Sequence, residues 1–571
     1  MKRLTPHLRF MQAGILCLAL LISRTSAIPQ FSTAAIHLSV DTSENNHPIS
    51  PYIYGLNFAD PALAAELHLP INRWGGNATT RYNWENDTSN RTSDWFFENI
   101  PNDNPHPENL PNGSSSDQFI EQNRQSGTQT LLTVPLIGWT PKNRGVSCGF
   151  RVSKYGQQQS VDPWQTDCGN GIRTNGSPVT GNAPDDTSKV INPNFVQSWI
   201  NHLKSRYGSA AQGGVRFYNL DNEPMLWNST HRDVHPNPTS YDELRDLTYA
   251  YGATIKAADP GALTFGPVEW GWTGYFYSAL DEAPGGAWWN SPQDRLAHRN
   301  QPFVEWYLAQ MLAYEQAHGV RILDYLDLHF YPQANNVALS NVVDANTKAL
   351  RLRSTRALWD PTYTDESWIN EPVNLIPRMR AWVTTFYPGT KIAISEYNWG
   401  ALGNINGGLA EAEVLGIFGR EGLDLATLWG STSSSDPWAY AFRIYRNYDG
   451  AGSFFGETSV QATSTDPSSL SIFASRRAGD GALTLVVINK STGLQNAAIS
   501  VSHLLLGSAA QVYRYSSANL KNIVRLPDQP LTGLGLSDQT FPVESITLFV
   551  IPSASIPVSG NYHSYLPLTL R

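Results

Sequence analysis

Between residues 52 and 430, eight short apolar runs alternate with helix-like segments, and this repeat restricts the chain more than any other feature of it. The runs are YIYGLNF (52–58), INRWGG (71–76), QTLLTVPLI (129–137), VRFYNLDN (215–222), LTFGPVEW (263–270), YLDLHFY (325–331), KIAISEYN (391–398) and DLATLWG (424–430). Several are apolar throughout rather than at every second position, as expected of strands buried on both faces. Strands that alternate with helices build a parallel sheet, and eight such units close into a barrel. Helix signals lie between them. Ser240 and Glu243 form a capping box ahead of Leu244, Leu247, Tyr251 and Ile255, and Phe195, Trp199, Leu203 and Tyr207 recur at helical spacing before Gly208. A further helix opens at Pro302 and runs to Gly319. The expected fold class is α/β, a (β/α)8 TIM barrel over residues 50–435.

Past Trp438 the pattern changes to short alternating segments separated by Gly, Ser, Asp and Pro turns. FRIYRNY (442–448), LSIFASRR (470–477), LTLVVINK (483–490), AQVYRYS (510–516) and SITLFVI (545–551) read as strands of an appended antiparallel β-sandwich over 436–555. IHLSVDTS (36–43) has the same alternation, so residues 30–49 are expected to join that sheet. Residues 556–571 form a short C-terminal tail.

The chain opens with Lys2, Arg3 and Arg9, runs apolar from Phe10 to Ile22 and reaches Thr25-Ser26-Ala27. This is the pattern of a secretory signal peptide over 1–27, so the mature chain is expected to be extracellular, without a membrane span, and monomeric. Cys148 and Cys168 remain after cleavage. In an oxidising compartment they are expected to pair, closing a loop whose entropy contributes about 3 kcal/mol. A net charge of −9 with 16% charged residues argues against nucleic acid as a partner. The 18 Trp and 25 Tyr point instead to sugars, whose apolar faces suit flat rings and whose hydroxyls suit polar ring edges.

Residues at the carboxyl ends of barrel strands share one cleft however far apart they lie in sequence. Glu223 ends the fourth run and Glu396 the seventh. Cleavage of a glycosidic bond needs two carboxyl groups of opposite character, one protonated to assist the leaving oxygen and one ionised to attack the anomeric carbon. We assign Glu223 the acid/base role and Glu396 the nucleophilic role. Asn222, beside Glu223, is placed to hold a sugar hydroxyl, and the Tyr397 hydroxyl, with Trp399 nearby, to donate to Glu396. Arg73 ends the second run, where its permanent charge would keep Glu396 ionised, and Trp74 and Asn77 follow it into the loop. His329 and Tyr331 end the sixth run and Trp429 the eighth, where a ring would floor a sugar site. The plainer alternative is that these are ordinary polar and aromatic residues at strand ends.

NRWGGNATTRYNWENDTSN (72–90), taken with Asn222-Glu223-Pro224 and Ser395-Glu396-Tyr397, closely resembles glycoside hydrolase family 44, and the resemblance runs from about residue 30 to 555. It implies an endo-acting β-1,4-glucanase that cuts cellulose-type, mixed-linkage or xyloglucan backbones with net retention, Glu223 matching the family's acid/base and Glu396 its nucleophile. It also implies a capacity for a structural calcium, for which residues 85–103 offer oxygen ligands without EF-hand spacing, while catalysis itself needs no cofactor. The competing expectations are a barrel-plus-sandwich glycosidase of other specificity, such as a xylanase or arabinofuranosidase, and a carbohydrate-binding protein without catalysis. The presence of both carboxylates argues against the last.

Overall fold

All eight apolar runs form strands, and every one pairs in parallel with its neighbours. The computed structural model describes residues 36–554; the leader expected over 1–27 and the tail expected over 556–571 lie outside them. Barrel strands one to eight are Gly55–Asn57, Ile71–Trp74, Gln129–Val134, Phe217–Leu220, Leu263–Glu269, Tyr325–Phe330, Lys391–Tyr397 and Leu425–Leu428. Each pairs with the next, and the eighth closes on the first with Thr427 opposite Gly55, so the barrel has no free edge.

The two-residue period of a strand fills the interior in layers. Ile71, Leu131, Phe217, Phe265, Tyr325, Ala393 and Leu425 form one apolar cluster, in which the Phe265 and Tyr325 rings stack at 4.0 Å. Two residues further along six of these strands stand Arg73, Thr133, Asn219, Asp327, Ser395 and Thr427, all buried. The barrel is therefore apolar where its strands begin and polar towards their carboxyl ends. That polar layer is the floor on which the functional groups are set.

The helix signals are largely realised. Pro193–Tyr207 ends at Gly208, which takes a positive φ of 83°, and Phe303–His318 ends at Gly319. Ser240 caps Tyr241–Ala258 by accepting the Glu243 N–H at 3.2 Å. The Glu243 carboxyl does not return the bond expected of a capping box and instead meets His235 Nε2 at 2.8 Å.

The appended module has nine principal strands, in the order 519–530, 509–516, 545–551, 483–489, 470–476, 458–464, 36–41, 495–502, 535–541. Strand Thr458–Ser464 belongs to two layers: residues 458–460 pair with 470–476, and residues 461–464 pair with Ile36–Asp41. Leu38, Ile499 and Leu536 from one layer and Ile472, Leu485 and Phe549 from the other share a single core, which makes a sandwich. Ile36–Asp41 joins the sheet as expected, but its pairing with Gln495–Ser502 is parallel, so the sheet is mixed rather than wholly antiparallel.

FRIYRNY, expected as the first strand of that module, is helical. Pro437 opens the helix Pro437–Arg446, and Trp438, Ala441, Phe442 and Tyr445 recur at helical spacing on its buried face. It packs on Ile405–Arg420 as the last helix of the barrel, so the barrel extends to Arg446 and the sheet resumes at Thr458.

Ile405–Arg420 is buried at every position from Ile405 to Gly419 because it lies between barrel and sheet. Strand Leu483–Asn489 shows why the sheet needs this cover: Leu483, Leu485 and Val487 face the sandwich core, while Val486 and Ile488 pack in the barrel's cluster. Cys148 and Cys168 are bonded, with Cα atoms 5.6 Å apart, and brace the long connection between barrel strands three and four.

The helix–sheet contact is closest at Gly416, where an added Cβ would lie 2.4 Å from the Phe473 ring. Gly416→Val should lower unfolding stability by about 1–3 kcal/mol through overpacking. A urea midpoint equal to that of the native protein would show that the contact yields without cost.

Candidate active site

Arg73 gathers the site. Fully buried at the end of barrel strand two, it donates from Nε to Asn219 at 2.9 Å, from Nη1 to Asn57 at 3.1 Å and Glu396 Oε1 at 2.6 Å, and from Nη2 to Asn222 at 2.8 Å. Every arm of the guanidinium fork has an acceptor, so a charge costly to bury is held in one orientation. The carboxamides are held in turn. Asn219 donates to Asp327 at 2.6 Å, and the Asn222 carbonyl also accepts the Gly76 N–H at 3.2 Å.

Glu396 reaches this group through an irregularity in barrel strand seven. Strict alternation from Ala393 would turn Ser395 inward and Glu396 outward. The register slips between strands six and seven, with Leu328 opposite Ile394 but His329 opposite Glu396, so one extra residue lies in strand seven. The bulge brings both Ser395 and Glu396 to the interior. Ser395 N–H donates to Asp327 at 3.0 Å and its hydroxyl meets His329 Nε2 at 3.2 Å, while Glu396 lies between Arg73 and the Tyr331 hydroxyl, which donates to Oε2 at 2.8 Å. These donors, at 2.6 and 2.8 Å, fix the position of both carboxylate oxygens.

Glu223 meets the same cleft from strand four in a different environment. It stands just past the strand with φ 46° and ψ 55°, a left-handed conformation that a residue with a Cβ adopts only when its surroundings hold it there. The fixed turn of Pro224 follows it, and its N–H donates to Val268 O at 3.0 Å. Its carboxyl meets His329 Nδ1 at 2.9 Å, and 14% of its side chain remains exposed. Burial pushes its pKa up to about 7, the Arg73 charge opposing the shift and the Asp94 charge adding to it. Burial also lowers His329 to about 4, so the imidazole between the carboxyls is neutral near pH 7.

His329 Nδ1 is 3.5 Å from Glu396 Oε2, and one oxygen of each glutamate lies within 4.8 Å of the other. These three groups also have the spacing of metal ligands. The Arg73 cation and the Tyr331 hydroxyl already occupy the two oxygens of Glu396, an arrangement suited to an anionic nucleophile rather than to a cation site.

The remaining expected residues divide. Asn77 stands at the rim, where Oδ1 accepts from Asn222 at 3.3 Å and Nδ2 donates to Asp94 at 3.1 Å. Trp429 is half-buried, with its ring against Gly76: an added Cβ there would fall 2.3 Å from Cη2. Trp74, Tyr397 and Trp399 are not in the cleft. They alternate with Arg73 and Glu396 on their strands or lie just beyond, and so face outward into the barrel's helical shell. Trp74 packs against Phe58, Tyr82 and Phe119; the Tyr397 hydroxyl donates to Glu411 at 2.8 Å; Trp399 donates to Ser354 at 3.1 Å. The hydroxyl expected on Glu396 from Tyr397 comes from Tyr331 instead.

Sequence reasoning missed Asn57, Asn219 and Asp327, the polar floor, and Glu269, a fully buried carboxyl at the end of strand five with neither oxygen hydrogen-bonded. Burial, with the charge of Glu223 adding to it, pushes the Glu269 pKa well up. A readable signal for part of the floor was present: Asn219 and Asp327 each stand two positions beyond an inward apolar residue, Phe217 and Tyr325.

Of the stretch expected to suit calcium, Asp87 is saturated by Tyr82, Asn104 and Ser115, and Glu85 pairs with Lys189 at 2.5 Å. Glu98 is 1% exposed, its Oε1 has no partner, and burial together with neighbouring Asp162 raises its pKa to about 8. Both Asp162 oxygens already accept hydrogen bonds, from the Trp164 backbone N–H at 2.7 Å and the Trp95 indole N–H at 3.0 Å, and no third His, Cys, Asp or Glu joins the pair among the described residues, so this stretch does not fit a calcium ion.

Residues 88–334 match glycoside hydrolase family 44. A beta-mannanase/endoglucanase A of Caldicellulosiruptor saccharolyticus is 33% identical over 85% of the chain, which spans 36% of that relative's length. Among solved structures, a bifunctional glucanase-xylanase from a metagenome library is 44% identical with a TM-score of 0.87, the match covering 91% of this chain and 99% of that one. A family 44 xyloglucanase of Paenibacillus polymyxa is 30% identical with a TM-score of 0.76, over 91% of this chain and all of that one. An arabinofuranosidase from Xanthomonas axonopodis, at 12% identity and a TM-score of 0.59, shares the fold alone. The long matches at 30–44% identity over nearly whole chains agree with the barrel and the appended sheet, and the chain belongs to glycoside hydrolase family 44.

Proposed function

We propose that the protein is a secreted, endo-acting β-1,4-glucanase working by net retention, with Glu223 as acid/base and Glu396 as nucleophile. The observation that carries this reading is the closeness of two carboxyls in unlike settings: one oxygen of each lies within 4.8 Å of the other, one carboxyl gripped by Arg73 and Tyr331, the other with its pKa raised to about 7. Retaining pairs stand about 5–5.5 Å apart and inverting pairs about 6.5–9.5 Å, the wider gap leaving room for water.

In the first step a Glu396 oxygen bonds the anomeric carbon as the glycosidic bond breaks, and the Glu223 proton passes to the departing oxygen. In the tautomer with its proton on Nδ1, His329 donates to Glu223 Oε1 and leaves the acid proton on Oε2. In the second step the Glu223 carboxylate takes a proton from water, whose oxygen displaces Glu396 and returns the sugar with its original configuration. Both steps use only the two carboxyls and water.

Substrate class rests on the relatives and on the aromatic surroundings. The relatives' names cover glucanase, xyloglucanase, xylanase and mannanase activity, and the first of these is common to most. A cavity of about 540 Å³ lined by Trp272, Tyr277, Trp288, Trp289 and Trp368 lies beside the cleft, since Trp368 donates to Gln333, two residues past Tyr331. An open, aromatic-lined groove suits internal cleavage of a chain. The same-site alternative is xylan, favoured by the glucanase-xylanase at 44% identity. The leader-like opening and the disulfide support export. Among the described residues no helix is long and apolar enough to cross a membrane, and we propose a monomer acting on extracellular polysaccharide.

Glu223→Ala should nearly abolish cleavage of β-1,4-glucan yet spare the first step on an aryl glycoside whose leaving group departs without a proton, with azide partly restoring turnover. Equal loss on both substrates in a folded variant would overturn the assignment. Because Glu223 must enter the first step protonated, kcat/KM should fall as pH rises through about 7; a pH profile flat from 6 to 9 would place the acid elsewhere. On soluble β-1,4-glucan, viscosity should drop well before reducing ends accumulate, and NMR of early products should show the β-anomer. An initial α-anomer would eliminate Glu396 as nucleophile, and early monosaccharide alone would eliminate the groove.

A further inference from the structure

The disulfide-bounded segment holds an aromatic surface outside the catalytic cleft. Trp164 is 76% exposed and stacks on Trp95 with centroids 5.6 Å apart and planes inclined by 28°. Asp162, only 2% exposed, fixes both: Oδ1 accepts the Trp164 N–H at 2.7 Å and Oδ2 accepts the Trp95 indole N–H at 3.0 Å. Asp162 N–H in turn donates to Cys168 O at 2.9 Å, beside the Cys148–Cys168 bond. Asp162 thus holds the Trp164 backbone and the Trp95 ring, and the Trp164 indole lies with one face on Trp95 and the other towards solvent.

The stack is tied to the cleft. Trp95 follows Asp94, whose carboxylate accepts from Asn77 at 3.1 Å; Asn77 accepts from Asn222 at 3.3 Å; and Asn222 accepts from Arg73 at 2.8 Å. The hydrogen-bonded path from the nucleophile's arginine thus ends one residue from the platform, and its exposed members, Asp94 and Asn77, are partners suited to sugar hydroxyls. A flat ring with polar groups along one edge is the surface that a glucosyl ring recognises. Because Trp95 backs the ring and Asp162 holds its backbone, stacking on it orders less than a free side chain would need.

We infer that the Trp164 face, backed by Trp95, is a distal subsite that stacks a glucosyl unit of the same β-1,4-glucan chain whose scissile bond lies at Glu223 and Glu396. This rests on the proposed glucanase function. It gives the disulfide a functional purpose: to hold the segment carrying Trp164 against Trp95.

The test compares kcat/KM on cellotetraose with that on a soluble β-1,4-glucan polymer. Trp164→Ala should lower the polymer-to-tetramer ratio about five- to ten-fold, the loss of one stacking contact, and Trp164→Phe should restore most of it. A ratio unchanged in Trp164→Ala, or one that Trp164→Phe fails to recover, would overturn the subsite. Affinity electrophoresis in gels containing the polymer adds a readout without hydrolysis, in which Trp164→Ala should be retarded less than the native chain. Native protein that is retarded but cleaves no β-1,4-glucan would refute the glucanase reading and leave the subsite standing; equal retardation of native chain and variant would refute the subsite alone.

Discussion

The buried guanidinium of Arg73 is the interaction on which the rest of the site depends. It ties barrel strand one through Asn57, strand four through Asn219 and Asn222, and strand seven through Glu396. A charge placed so deep is tolerable only because each of its arms is met, and removing one partner from such a pair typically costs about 3–5 kcal/mol. The same contacts that make it tolerable set the positions of both glutamates, since Asn222 immediately precedes Glu223. Stability of the polar floor and alignment of the reacting groups are one arrangement.

The two carboxyls then differ by what surrounds them rather than by what they are. Glu396 has a fixed cation and a hydroxyl against it, whereas Glu223 faces a neutral imidazole and is separated from Arg73 by Asn222. His329 connects them without carrying charge itself, because burial holds its pKa near 4. A protonated histidine there would favour ionised Glu223 and erase the contrast.

The barrel was legible because eight apolar runs are difficult to arrange otherwise, and Glu223 and Glu396 were legible because barrel architecture places strand ends together. Facing was harder to read. The single extra residue at Ser395 leaves no mark in the sequence, yet it decides that Glu396 turns inward and Tyr397 outward to Glu411. Trp74 misled for the related reason that its strand neighbour Arg73 takes the inward place. FRIYRNY contains apolar residues compatible with both strand and helical periods, and the deciding signal was Pro437 at the helix start, five residues upstream of the segment. The sheet strand 519–530 went unread because it is polar and largely exposed, so its sequence carries little trace of burial; 495–502 buries only Ala497, Ile499 and Val501 at alternate positions, a short signal among polar neighbours.

The strand Ile36–Asp41 lies between Thr458–Ser464 and Gln495–Ser502. Made on the ribosome, it emerges ahead of the entire barrel and finds neither neighbour until the chain is nearly finished. Pairings of such long sequence separation form slowly, and a waiting strand with unsatisfied backbone groups is open to wrong partners. The sheet is thus a late checkpoint on synthesis: a chain that ends between Arg446 and Gln495 holds every barrel strand and helix but cannot fully shelter its own beginning.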